Sequence, residues 1–114
     1  MERRRRDLPT SIYRILLYLS RMSERGNDAR RLMRIERATL IERKELRNHL
    51  HNLCESGHLS AYSSGKTGRG GHPIIAYSVT EAGRGLRGDL GRWIDFGVRL
   101  GYYPEEFFYL PSDA

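Results

Sequence analysis

Between residues 43 and 52 the chain carries Arg43, Lys44, Arg47, Asn48, His51 and Asn52, side chains of the types that read nucleic-acid bases. An arginine fork or a lysine ammonium can donate to guanine O6 and N7, and an asparagine amide can pair with adenine. Among them stand Leu46, Leu50 and Leu53, at the three- and four-residue spacing of one buried helical stripe. With a step of about 100° per residue, that stripe turns Lys44, Asn48, His51 and Glu55 away from the core. Arg43, Arg47 and Asn52 fall on the flanks. A solvated helix face is also polar and charged, so these residues argue only as a set and beside a second basic element.

That second element follows at Ser64-Gly-Lys-Thr-Gly-Arg-Gly-Gly-His-Pro73. Lys66 and Arg69 stand among Gly65, Gly68, Gly70 and Gly71, between the β-prone runs 59–63 and 74–79. The pattern predicts a hairpin with a basic loop at about 63–73. Glycine lets such a loop approach a phosphate closely, and the cations neutralise its charge. Arg3, Arg4, Arg5 and Arg6 form a further basic run, fit to track a phosphate backbone or to act as a solubility tail.

The overall balance agrees with these local features. The chain has 114 residues, 20 Lys and Arg against 14 Asp and Glu, and a formal charge of +6. That excess favours a polyanion: DNA, RNA or an anionic membrane surface. Only Lys44 and Lys66 are lysines; arginine, the other basic residue, suits phosphate and guanine through its two parallel donors. The length allows one ordinary domain, and 39% hydrophobic residues allow one modest core.

Other chemistry is weakly represented. Lys66-Thr67 follows Ser-Ser-Gly and leads into a strand, unlike a phosphate loop that opens a helix. His51, Cys54 and His58 have ligand spacing, but Gly57 is expected to end the helix before His58, so no metal is expected. No Ser-His-Asp set or carboxylate pair stands out, so neither an enzyme nor a cofactor is expected. No apolar stretch is long enough to span a bilayer, and the basic N-terminus is not followed by the apolar run of a signal peptide. Cys54, a single cysteine, makes no internal disulfide, which suits a reducing, cytoplasmic setting.

The elements that must position the basic residues can be drawn from the same pattern. Ile12, Ile15, Leu16, Leu19 and Met22 predict an amphipathic helix over about 9–23. Asn27 or Asp28 can cap a second helix over 28–37, with Ala29, Leu32 and Met33 facing inward. Thr39-Leu40-Ile41 reads as a turn anchored by Ile41, although Thr39 with Glu42 also forms a possible capping box. The third helix is expected over 42–56, ended by Gly57. Thr80 opens a last helix over 80–101, where Leu86, Leu90, Trp93, Gly97 and Leu100 make a heptad seam. An aromatic tail occupies 102–114.

Helix, helix, helix, hairpin, helix is the winged helix-turn-helix plan, mainly α with a small β-hairpin wing. The chain resembles the small transcriptional regulators of the MarR, PadR and HxlR type over about residues 10–100. Two stretches carry the resemblance: Leu46-x3-Leu50-x2-Leu53-x3-Gly57-x-Leu59, and Pro73-x3-Tyr77-Ser78-Val79-Thr80-Glu81-Ala82-Gly83. It implies a recognition helix running into the first wing strand, then a second wing strand leading into a terminal helix. The expected organisation is a basic arm at 1–8, a DNA-binding domain at 9–83, and a dimerisation element at 84–114. The expected function is sequence-specific binding of double-stranded DNA by a homodimeric regulator. Architectural or partition-type DNA binding, RNA binding and protein–protein contact remain alternatives. No ligand-site signature identifies a small-molecule effector.

Overall fold

The structure, a computed structural model, describes residues 8–113. Among these are four α-helices and one two-stranded antiparallel hairpin. Helix α1 spans Leu8–Arg21, α2 Leu32–Thr39, α3 Arg43–Glu55 and α4 Glu81–Arg99; strands β1 (Leu59–Thr67) and β2 (Pro73–Val79) lie between α3 and α4.

The core is centred on α1. Ile15, Leu16 and Leu19 are fully buried with Ile35, Ile41, Leu46, Leu50 and Ile94 in one cluster. The α1 stripe is joined by Tyr13, Arg14, Leu17 and Tyr18, which are buried too. The tail covers part of this second face, while the Tyr18 hydroxyl donates to Ala29 O at 2.6 Å. Phe107 and Leu110 belong to the same core cluster, Phe108 packs edge-on against Tyr13 at 6.2 Å, and Arg14 donates to the Glu106 carbonyl at 3.1 Å.

The second predicted helix is divided. Asn27–Arg30 forms a 3-10 turn, and α2 starts only at Leu32 because Arg31 is extended (φ −86°, ψ 158°) and bridges Ala76 of β2. The break resets the helical phase. Ile35, Ala38 and Thr39 face the core, Ala29 and Leu32 are only partly buried, and Met33, expected inward, is 48% exposed.

The turn between α2 and α3 runs as expected through buried Ile41. Leu40 takes a left-handed conformation (φ 57°) and closes α2 on the Glu36 carbonyl. Thr39 ends α2, and its hydroxyl donates to Ile35 O at 2.7 Å. Glu42 caps α3: its carboxylate accepts the Lys44 and Glu45 backbone N–H groups. At the other end Gly57 (φ 83°) makes the left-handed stop, and the His58 N–H returns to Leu53 O. Thr80 caps α4 through Gly83 N and donates to Gly57 O, locking the start of α4 to the end of α3.

The seam expected along α4 does not lie on one surface. Leu86 and Leu90 pack against the core, and Gly97 is buried under the Tyr103 ring. Trp93 and Leu100 are each 54% exposed, and Phe96 joins them at 56%. Covering α4 with the tail divides the heptad between an inner and an outer face. No helix of the described residues is long and apolar enough to cross a membrane.

Candidate nucleic-acid interface

Burial of Leu46, Leu50 and Leu53 fixes the rotation of α3. Lys44, Arg47, Asn48, His51 and Asn52 are then all exposed. Neither Lys44 nor Arg47 makes an ion pair within the described residues. Arg43 differs from them. Its guanidinium grips Glu36 Oε1 at 2.7 and 3.0 Å, so α2 holds this side chain and offsets its charge. Glu45 is engaged with His49 at 3.2 Å. The two backbone N–H groups at the Glu42 cap hold its carboxyl below the ordinary range.

The hairpin stands beside α3. Its strands pair from Leu59↔Val79 to Ser63↔Ile75, lose register, and rejoin at Thr67↔Pro73. The tip is therefore shorter than the sequence suggests: Gly68 donates to His72 O, and Gly70 and Gly71 take positive φ between them. Arg69 stands on this tip. Lys66 does not; it sits in β1, with Nζ 3.8 Å from Asp28 Oδ1.

A polar clamp that the sequence patterns did not single out fixes the middle of the hairpin. Arg30 is 9% exposed and donates from Nε to the Tyr62 hydroxyl at 2.9 Å. Its Nη1 donates to Met22 O and Arg25 O at 2.8 and 2.6 Å. The Tyr62 hydroxyl donates to Asn27 Oδ1, and the Asn27 amide donates to Ser64 O, both at 3.3 Å. A buried guanidinium satisfied on several sides resists displacement. The hairpin is thereby tied to the turn that follows α1. Arginine within a predicted helix gave no signal for this role; the isolated Tyr62 in a β-prone run gave only a faint one.

Between α3 and the hairpin lies a cleft of about 550 Å³. Leu32, Leu50, Ile74 and Tyr77 contribute apolar surface, and Arg31, Arg43, Arg47 and His51 contribute the basic groups. No Asp or Glu lines it. Burial pushes the Tyr77 hydroxyl and the Cys54 thiol up from their ordinary values; nearby Arg47 partly opposes this at Tyr77. Both groups are neutral around pH 7.

No protein-family model matches the chain, and neither the curated proteins nor the solved structures give a match.

Of the residues singled out in the sequence, the structure brings Arg43, Arg47 and His51 to one cleft and leaves Lys44 and Asn48 on the open face of α3; Asn52 lies on the other flank, at a hollow shared with Leu8, Ile12, His49 and Leu90. Arg69 reaches the hairpin tip, whereas Lys66 is drawn toward Asp28. Arg3, Arg4, Arg5 and Arg6 lie outside the described residues. His58 turns onto the Ser56 hydroxyl at 2.6 Å, away from the row His51 and Cys54 would form.

Proposed function

We propose that this chain binds double-stranded DNA in a sequence-dependent manner, as a homodimeric transcriptional regulator on a winged helix-turn-helix of the MarR, PadR and HxlR kind. The observation that carries this reading is the α3 face: Lys44, Arg47, Asn48, His51 and Asn52 are all exposed beside a hairpin whose tip carries Arg69. The short turn joining α2 to α3 and the one-residue pairing of Arg31 with Ala76 support the same plan. Residues 9–83 form the DNA-binding unit in this reading, which places the protein in the cytoplasm and assigns it no bond-making chemistry.

In this mechanism α3 enters the major groove. Arg47 and Asn48 meet base edges there, while Lys44 runs along phosphates; Arg43, held by Glu36, contributes less. The hairpin tip follows the flanking backbone. Arginine and lysine supply affinity by releasing counterions, and base contacts supply discrimination. Arg69 contributes more than Lys66, whose charge Asp28 already shares. The exposed Trp93, Phe96 and Leu100 on α4 support pairing with a second copy. A two-fold pair would offer two α3 helices to one palindromic site.

The test is selection of bound sequences from a random duplex pool, using the full chain. Enrichment of a palindromic motif is expected. Retention of all duplexes without enrichment would favour architectural binding. Failure to bind any duplex at low salt would favour a protein-contact role.

A further inference from the structure

We propose that Arg30 is a positioning residue for the hairpin tip: through Tyr62 and Asn27 it braces the irregular stretch of β1, and so sets where Arg69 is presented. The strand pairing shows why a brace is needed. Between Ser63↔Ile75 and Thr67↔Pro73, the β1 residues Ser64, Gly65 and Lys66 stand opposite Ile74 alone. Gly65 takes a φ of 89° there. Extra residues in one strand interrupt the ladder and bend the ribbon, and a two-stranded ribbon has no further strand to stiffen it. Left to itself, the part of the hairpin that carries Arg69 would swing about this joint.

The 3-10 turn Asn27–Arg30 meets the joint along its length. Arg30 Nε donates to the Tyr62 hydroxyl at 2.9 Å, the Asn27 amide donates to Ser64 O at 3.3 Å, and Asp28 Oδ1 lies 3.8 Å from Lys66 Nζ. Arg30 binds these contacts into one unit. Its Nη2 donates to Asn27 Oδ1 at 2.9 Å, the same oxygen that accepts from Tyr62. Its Nη1 is anchored on the Met22 and Arg25 carbonyls, just past the end of α1. Stability alone does not call for such an arginine. It is buried, and no carboxylate of the described residues pairs with it. A buried charge facing only neutral acceptors is costly, and apolar side chains of similar volume often serve the fold as well. What the planar guanidinium adds is direction, several donors held in one fixed fork. That Arg69 then meets a phosphate rests on the proposed DNA reading; the brace itself does not.

The test uses the full chain labelled with nitrogen-15 and the variant Tyr62→Phe, which removes one hydroxyl and keeps the ring. In the wild type, residual dipolar couplings of the hairpin amides should fit the same alignment as those of the four helices. In Tyr62→Phe the couplings at 67–73 should fall by at least half while those of the helices stay unchanged. A hydroxyl that merely stabilises the fold would lower the urea midpoint and leave the couplings alone, which would overturn the brace. On a random duplex, Tyr62→Phe should make the slope of log Kd against log salt shallower by about one, as Arg69→Ala should. The double variant should bind no more weakly than Arg69→Ala alone. A further loss in the double variant would overturn the link to Arg69. Altered couplings in a chain whose wild type binds no duplex would uphold the brace and overturn the DNA reading.

Discussion

Among the glycines, Gly83 leaves the least room for a side chain. A Cβ there would collide with the His58 carbonyl and the Val79 side chain, whereas a Cβ at Gly85 meets nothing within 4 Å. The backbone of His58 cannot move away cheaply, because Thr80 N–H bonds to its oxygen at 3.2 Å. Gly83→Ala should therefore cost about 2–3 kcal/mol. Gly85→Ala should gain about 0.5–1 kcal/mol from helix propensity. Urea unfolding of the two variants checks both, and equal effects would mean that α4 does not close on the end of α3 in this way. The sequence shows several glycines in this helix and what they cost in propensity. It does not distinguish the glycine demanded by a neighbour from one facing open space, because the neighbour is distant in sequence. Arg30 poses the same problem. Its partners Met22, Arg25 and Tyr62 are brought together only by the turn and the hairpin.

At the scale of elements, helices with a clear apolar period were legible and the irregular joins were not. The leucine stripe of α3, its Gly57 stop and the Thr80 cap follow directly from residue type and spacing. The start of α2 does not, since extended Arg31 pairs with a strand that comes much later in the chain. The burial of Tyr13 and Arg14 on α1 was equally hidden, because the tail covers them. Asp113 fastens that tail: it accepts from Arg21 Nη1 at 2.9 and 3.1 Å and from Leu110 N–H at 3.0 Å. The Arg21 hydrogen bond, then the Leu110 amide, holds its carboxyl below the ordinary aspartate range. A carboxylate whose folded-state pKa is depressed stabilises the fold fully above its unfolded value, near about 4, and loses that contribution as pH falls through the folded value. Stability should therefore decline with acid below about pH 5. Asp113→Asn should make that decline shallower, as followed by urea midpoints between neutral and acid pH. An unchanged acid slope would mean that the clasp does not form in solution.

At the scale of the whole molecule, the groups proposed to contact DNA sit on α3 and the hairpin, and an uncovered apolar patch sits on α4 and the turn after it. Trp93, Phe96, Leu100 and Tyr102 are 54, 56, 54 and 80% exposed. Two such patches facing each other would bury on the order of 1,000 Å², the lower bound for a specific interface. Wild-type protein should sediment as a dimer at micromolar concentration, and Trp93→Glu as a folded monomer. Leu90→Glu should instead lose structure, because Leu90 packs against the core. A wild-type monomer would remove α4 as the pairing surface. The sequence placed the basic helix, the glycine-rich hairpin and the apolar terminal helix in the right order. It could not show which turn of the last helix the tail covers, nor that Asp28 would draw Lys66 away from the hairpin tip. The central claim is that the outward face of α3 reads bases. Its most direct test is the affinity of Arg47→Ala and Asn48→Ala for a selected duplex and for a scrambled one, at fixed salt. The account predicts that each variant loses about 1–3 kcal/mol on the selected duplex and much less on the scrambled one. Full affinity for the selected duplex in both variants would contradict it.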